Sequence, residues 1–285
     1  MNIFNLISDL EKVDGDVHER LKFYSRRTMF SRLGKMAAAT APVALASVFN
    51  KAYAFTPGAI DVLKYALTLE YLEDEFYKMG NSKAATLYPN GGQYTPVFMQ
   101  IGKHETAHVL FLEKALGYTP MNATMTTGNG KAELGVGKGF DFTAGGAFAD
   151  VFTNFGTFVA VSHAFEDTGV RAYKGQATNL MAKEDEVLLD YALQIHSVEA
   201  RHASVVRYIL NDLAKPTPPI KPWITLNQAL IPAVAPIVAG EENLTQGGVN
   251  LKGLAGKSDE AISEAFDEPL TKMEVLAIAT PFIVK

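Results

Sequence analysis

The sequence predicts an all-α protein: an antiparallel four-helix bundle with one long crossover, preceded by a leader and followed by a C-terminal extension. Three observations carry that reading. Apolar residues recur at helical spacing over four long stretches, each bounded by capping or breaking residues. A Glu-x-x-His stands in the second stretch (Glu105, His108) and again in the fourth (Glu199, His202), so a carboxylate and an imidazole twice share one helix face. Each pair follows another glutamate on an apolar face, Glu70 by 35 residues and Glu166 by 33.

The first helix is expected over about residues 60–79, with Leu63, Leu67, Glu70 and Tyr77 on one stripe and Gly80-Asn81 as its stop. The stretch from Tyr88 to Tyr94 reads as a turn. The second helix opens at Thr95 as N-cap with Pro96 at the first helical position, places Phe98, Ile101, Glu105, His108 and Leu112 on one face, and ends at Gly117. Residues 118–146 are rich in glycine and threonine without sustained period, which suits a crossover between distant helix ends. The third helix is expected over about residues 148–174, carrying Phe152, Phe155, Val159, Glu166, Val170 and Tyr173 on one side. The fourth follows over about residues 184–214, with Leu188, Ala192, Ile195, Glu199, His202, Val206 and Ile209 in register. From Lys215 the prolines 216, 218, 219 and 222 break the helix, and the sole Trp223 opens an extension, residues 215–285, that reads as a wrap packed on the bundle. Within it Leu230–Ala239 is interrupted by Pro232 and Pro236, which argues against a membrane span, and Thr271 with Glu274 forms a capping box.

With 285 residues, 48% of them hydrophobic, the chain can bury a full core. A net charge of −5, with no basic run beyond the N-terminus, argues against nucleic acid as a partner. The absence of cysteine excludes disulfides, thiolate catalysis, Fe–S clusters and iron held by four cysteines. Redox chemistry has to run on a metal with oxygen and nitrogen ligands, or on tyrosine.

Residues 1–54 read as an address. Ser25-Arg26-Arg27-Thr28-Met29-Phe30 precedes a mild apolar run from Met36 to Phe49, and Lys51-Ala52-Tyr53-Ala54 carries an A-x-A cleavage signal, with Phe55 as first mature residue. Fourteen weakly apolar residues are too few to span a bilayer. Paired arginines and the basic Lys51 favour the twin-arginine export machinery over the general secretory route, and so a periplasmic protein; that route moves folded proteins, which would allow a metal to be loaded before export. Its removal leaves a mature charge of −8, from 18 basic and 26 acidic residues.

The halves repeat in detail: Glu70 is followed at +7 by Tyr77-Lys78, and Glu166 at +7 by Tyr173-Lys174. That spacing favours Glu70 over Glu73, which also lies on an apolar line, as the chemical glutamate of the first helix. Glu70, Glu105, His108, Glu166, Glu199 and His202 then converge on one site. Four buried carboxylates repel one another or stay protonated unless cations hold them, and two divalent metals supply the compensation. The bland reading makes the same six surface or salt-bridged groups. His104, His163 and His196 lie within a turn of the set and read as neighbours or surface groups. Tyr77 and Tyr173 read as packed core tyrosines, with a hydrogen-bonding or radical role as the alternative.

By those six residues the chain resembles the ferritin-like superfamily over about residues 58–214. The likeness is strongest to exported bacterial ferritin-like domain proteins akin to desiccation- and stress-related ones, and more distant to rubrerythrins and manganese catalases. The resemblance implies a left-handed bundle around two iron or two manganese ions, used on hydrogen peroxide or dioxygen in oxidative defence. In that reading Glu70 and Glu166 are terminal ligands, each histidine gives one nitrogen to one metal, and Glu105 and Glu199 bridge as the catalytic pair. Rubrerythrins commonly carry a cysteine-ligated iron domain that this chain cannot have, so disproportionation or metal oxidation fits better than reduction by an external donor. A homo-oligomer is compatible with the resemblance, and a non-catalytic metal-binding or stress-protective protein is the alternative function.

Overall fold

The computed structural model describes residues 55–89, 92–118, 129–216, 219–229 and 232–284. The leader, with Arg26, Arg27 and the cleavage signal, lies outside the described residues, as do positions 119–128 of the crossover.

The chain is mostly helical, an antiparallel bundle of four long helices: α1 (Pro57–Ser82), α3 (Thr95–Ala115), α5 (Phe155–Gln176) and α6 (Glu186–Ala214). A one-turn helix α2 (Ala84–Leu87) links α1 to α3. The directions follow from their contacts. Asn81 donates to the Phe98 carbonyl while Tyr71 bonds Glu113, so α1 and α3 run antiparallel. Phe76 stacks on Phe158 at 4.7 Å while Tyr173 bonds Glu70, so α1 and α5 are antiparallel too. Helices α3 and α5 therefore point the same way, and their connection must travel back along the bundle. A helix of this length spans about 30 Å, which is why the crossover is long.

That crossover is more structured than its composition suggests. It holds a short helix α4 (Asn129–Glu133) and a series of turns, and it buries Phe142, Phe148 and Val151 in the aromatic core with Phe76, Phe158 and Phe165. It also pairs with the far end of the chain through a bridge between Phe140 and Ile283.

Some helix ends fall where expected and others differ, each for an identifiable reason. Helix α1 starts at Pro57 because the Thr56 side chain accepts from the Ala59 N–H. It runs through Gly80, where a Cβ would stand 2.4 Å from the Phe158 ring; this glycine serves close packing, not termination. Thr95 is already helical, one residue inside its expected cap position. Gly117, at φ +72°, closes α3, with the Tyr118 N–H donating to the Glu113 carbonyl. Helix α5 begins at Phe155 because Asn154 accepts from the Gly156 and Thr157 N–H groups, which leaves Phe152 in the preceding turns. Helix α6 ends at Lys215 in the left-handed region.

The extension lies against α5. It comprises a 3-10 turn at Pro232–Val238, a two-stranded ribbon β1 (Thr245–Gln246) and β2 (Val249–Asn250), and helices α7 (Asp259–Ser263) and α8 (Lys272–Ala279). Thr271 and Glu274 form the capping box of α8. Among the described residues no helix is long and apolar enough to cross a membrane. The buried Arg171 ties the extension down: it donates to the Ile237, Ala239 and Glu268 carbonyls at 2.5, 2.8 and 2.8 Å and pairs with Glu241 at 2.9 Å. The chain comes so close here that a Cβ on Gly175 would stand 2.0 Å from the Leu270 carbonyl oxygen.

Candidate metal centre

The stripes that bury Leu67, Ile101, Val159 and Val206 carry the chemical residues in the same register, so the helical period that builds the core also aims the site. Glu70 on α1, Glu105 on α3, Glu166 on α5 and Glu199 on α6 are each 0% exposed, with His108 at 8% and His202 at 4%. The structure brings all six together. Their donor atoms form two clusters, each within 4.8 Å: Glu70, Glu105, His108 and Glu199, and Glu105, Glu166, Glu199 and His202. Glu105 and Glu199 belong to both.

Each imidazole turns Nδ1 to the carboxylates. His108 Nδ1 lies 3.1 Å from Glu70, 3.0 Å from Glu105 and 3.2 Å from Glu199. His202 Nδ1 lies 2.9 Å from Glu105 and 3.1 Å from Glu166. The tyrosines of the sequence repeat cross the bundle: Tyr77 on α1 donates to Glu166 on α5, and Tyr173 on α5 donates to Glu70 on α1, at 2.5 Å. Both are buried, so they are core residues and hydrogen-bond donors at once. The repeat's lysines turn elsewhere, Lys78 to Asp74 and Lys174 to the Asp267 carbonyl.

The electrostatics are those of a cluster short of positive charge. Burial pushes the Glu199 carboxyl well above its usual range, and the Glu105 charge adds to that. Burial likewise raises Glu105. Burial alone would lower both imidazoles, but the Glu70 charge drives His108 far upward, and the Glu166 charge carries His202 up to about 11. Burial works against Glu70 as a carboxylate, yet the charge and hydrogen bond of His108 hold it low. Glu199 Oε2 is buried without a hydrogen bond, and Glu199 Oε1 and Glu105 Oε1, equally buried, have only the His108 and His202 ring nitrogens beside them. Orphaned carboxylate oxygens in a closed core are costly, and this donor set of oxygens and imidazole nitrogens fits iron or manganese.

The neighbouring histidines divide. His104 stacks on His202 with ring centroids 5.1 Å apart, and its Nδ1 meets His202 Nε2 at 2.8 Å; its other nitrogen meets the exposed Gln100 at 2.7 Å. Burial, then the charges of His202 and His108, pull His104 down to about 4. Sequence reasoning placed His104 within reach but did not find this contact; its only sequence signal is its place beside Glu105. His163 instead bonds Asp167, which also takes the Arg207 guanidinium at 3.0 Å. That buried triad pins α5 to α6 beside the site, and despite burial the Arg207 charge holds Asp167 at about 2. His196 stays apart, near Asp267 and Lys174.

Glu73 does not join either cluster of mutually close donor atoms. It is nonetheless buried, and burial followed by the charges of Glu199, Glu70, Glu166 and Glu105 pushes its carboxyl well upward.

Compared with known proteins, the chain matches a family model described as the ferritin-like domain over residues 58–212. Neither the curated proteins nor the solved structures provide a match.

Proposed function

Because this chain belongs to the ferritin-like domain family, we propose that it binds two iron or two manganese ions and acts on hydrogen peroxide or dioxygen in oxidative defence. The observation that carries the reading is the pair of buried clusters sharing Glu105 and Glu199. Shared membership suits those two carboxylates to bridging, and leaves Glu70 with His108, and Glu166 with His202, as the separate ends. Bound metals would supply a two-electron redox couple and a Lewis-acid template for the oxidant.

The chain's own residues do the rest. Tyr77 and Tyr173 orient the terminal carboxylates by donating to Glu166 and Glu70. His104 holds the His202 ring through Nε2, which leaves Nδ1 to face the centre. Phe98 and Phe158 pack on the Tyr77 ring and keep that side of the centre apolar, which strengthens the charge interactions inside. The chain has no cysteine to hold an electron-relay iron, so disproportionation of peroxide or oxidation of the metal fits better than reductase chemistry, which needs an external donor. Replacing Glu199 and His202 together by alanine should abolish both metal retention and peroxide turnover; a double variant that kept both would sink the proposal.

Export belongs to the same proposal. Thr56 caps α1 and bonds Asp185 through its N–H at 3.0 Å and its hydroxyl at 2.6 Å, so a cut after Ala54 leaves the folded body whole. N-terminal sequencing of periplasmic protein should start at Phe55. A non-catalytic, stress-protective role is favoured by one observation, the complete burial of the four carboxylates. A metal-loaded protein inert to peroxide and dioxygen would select it.

A further inference from the structure

Helices α1 and α5 are twins about the centre, with Glu70 and Tyr77 on one matching Glu166 and Tyr173 on the other. Three residues past each glutamate the match breaks: α1 carries Glu73, and α5 carries Gly169. The break is spatial as well. A Cβ on Gly169 would stand 2.9 Å from Glu199 Oε2 and 3.4 Å from Glu73 Oε1. The missing side chain is thus the gap onto which the Glu73 and Glu199 carboxylates both open. Glu73 lies one helical turn from Glu70 on the same face, and the charges that bear on it most are the four carboxylates of the centre.

Resting on the two-metal reading, we infer that Glu73 is a fifth carboxylate of the centre, closing through the Gly169 gap beside Glu199 onto one of the two metals. Sequence spacing poses Glu70 and Glu73 as alternatives; in this arrangement both serve the centre. The Glu73 oxygens stand outside both donor clusters at rest, so joining the centre takes a rotation of the side chain. The twin position offers no such donor, because Gly169 has no side chain. The two metals are therefore unequal, one with an additional oxygen ligand. Four carboxylates balance two divalent ions, so a fifth negative charge favours the more oxidised pair and lowers its reduction potential.

The test compares the full chain with Glu73→Gln and Glu73→Ala, each loaded anaerobically with iron. Chelator competition reads the two affinities, and Mössbauer spectra read the equivalence of the two irons. The expected result is a loss of at least about tenfold in affinity at one metal, with a much smaller change at the other, a change in one of two quadrupole doublets, and a raised reduction potential. Glu73→Gln preserves side-chain shape and carries the test if the alanine variant folds poorly, which circular dichroism of the metal-free proteins reports. Affinities within about twofold of the unmodified protein at both metals, or a loss shared equally, would overturn the inference and leave the two-metal reading standing. An unmodified chain that takes up no metal overturns that reading, and this inference with it.

Discussion

Arg171 is the most exacting place to test how the extension is held. Its guanidinium is buried, donates to three extension carbonyls, and meets Glu241, whose carboxyl burial raises to about 7 against the pull of Arg171. Arg171→Ala removes the positive partner, leaving the buried Glu241 carboxylate with only the Glu268 N–H and the Ile237, Ala239 and Glu268 carbonyls without their guanidinium donor. Breaking a buried ion pair by deleting one partner costs about 3–5 kcal/mol. For a body of this size each kcal/mol moves the midpoint by about 2–4 °C, so the melt should fall by about 6–20 °C. Because the carbonyls all belong to the extension, loosening should be local first. Limited proteolysis should cut between Ile237 and Glu268 sooner in the variant, while α1 and α3 stay resistant. Arg171→Lys should rescue little, since one ammonium cannot reproduce a planar fork bonded in several directions. A shift below about 1 kcal/mol, or proteolysis no faster than in the unmodified protein, would refute the claim that this side chain is the anchor.

Other consequences follow from the centre itself. His104→Ala should weaken metal retention by about 10–100-fold, mainly at the His202 end, because the residue before Glu199 is Val198 and offers no matching support; chelator competition checks this, and unchanged affinity would contradict it. For the metal-free protein the pH dependence has a definite sign. His202 rises to about 11 from an unfolded value of about 6.5, so its contribution is full below the lower value and is lost as pH rises toward the higher. Glu199 and Glu73 are raised acids, so their contribution is present at low pH and falls once pH exceeds the unfolded value of about 4.5. Melting of the metal-free protein should therefore drop as pH rises from about 6.5 toward 11, whereas stabilisation by added metal should grow over the same range, because the ligands must shed protons to bind. Thermal melts with and without metal test both signs.

The helix faces were legible in the sequence because a 3.6-residue period places Leu67, Glu70 and Tyr77, or Ile195, Glu199 and His202, on one side whatever the tertiary partners. Convergence of four such faces follows once the two halves repeat. What local pattern does not encode is contact between elements. Gly80 reads as a stop until Phe158 is seen against it, and Asn154 reads as one polar residue among many until it caps α5. The crossover reads as structureless because its buried Phe142, Phe148 and Val151 follow no period; they fill a surface made by other elements. Arg171 reads as a charged residue on an apolar helix, since its partners lie more than sixty residues away in the chain. Glu73 reads as the loser of a choice with Glu70, because the gap left by Gly169 exists only when α1 and α5 face each other.

The most direct measurement is metal analysis of the chain beginning at Phe55, purified without chelators, followed by hydrogen peroxide added to the same sample. Two donor clusters call for about two iron or manganese ions per chain, and the proposed chemistry calls for oxygen evolution. A chain that holds no metal, even after anaerobic reconstitution, would contradict the account at its centre.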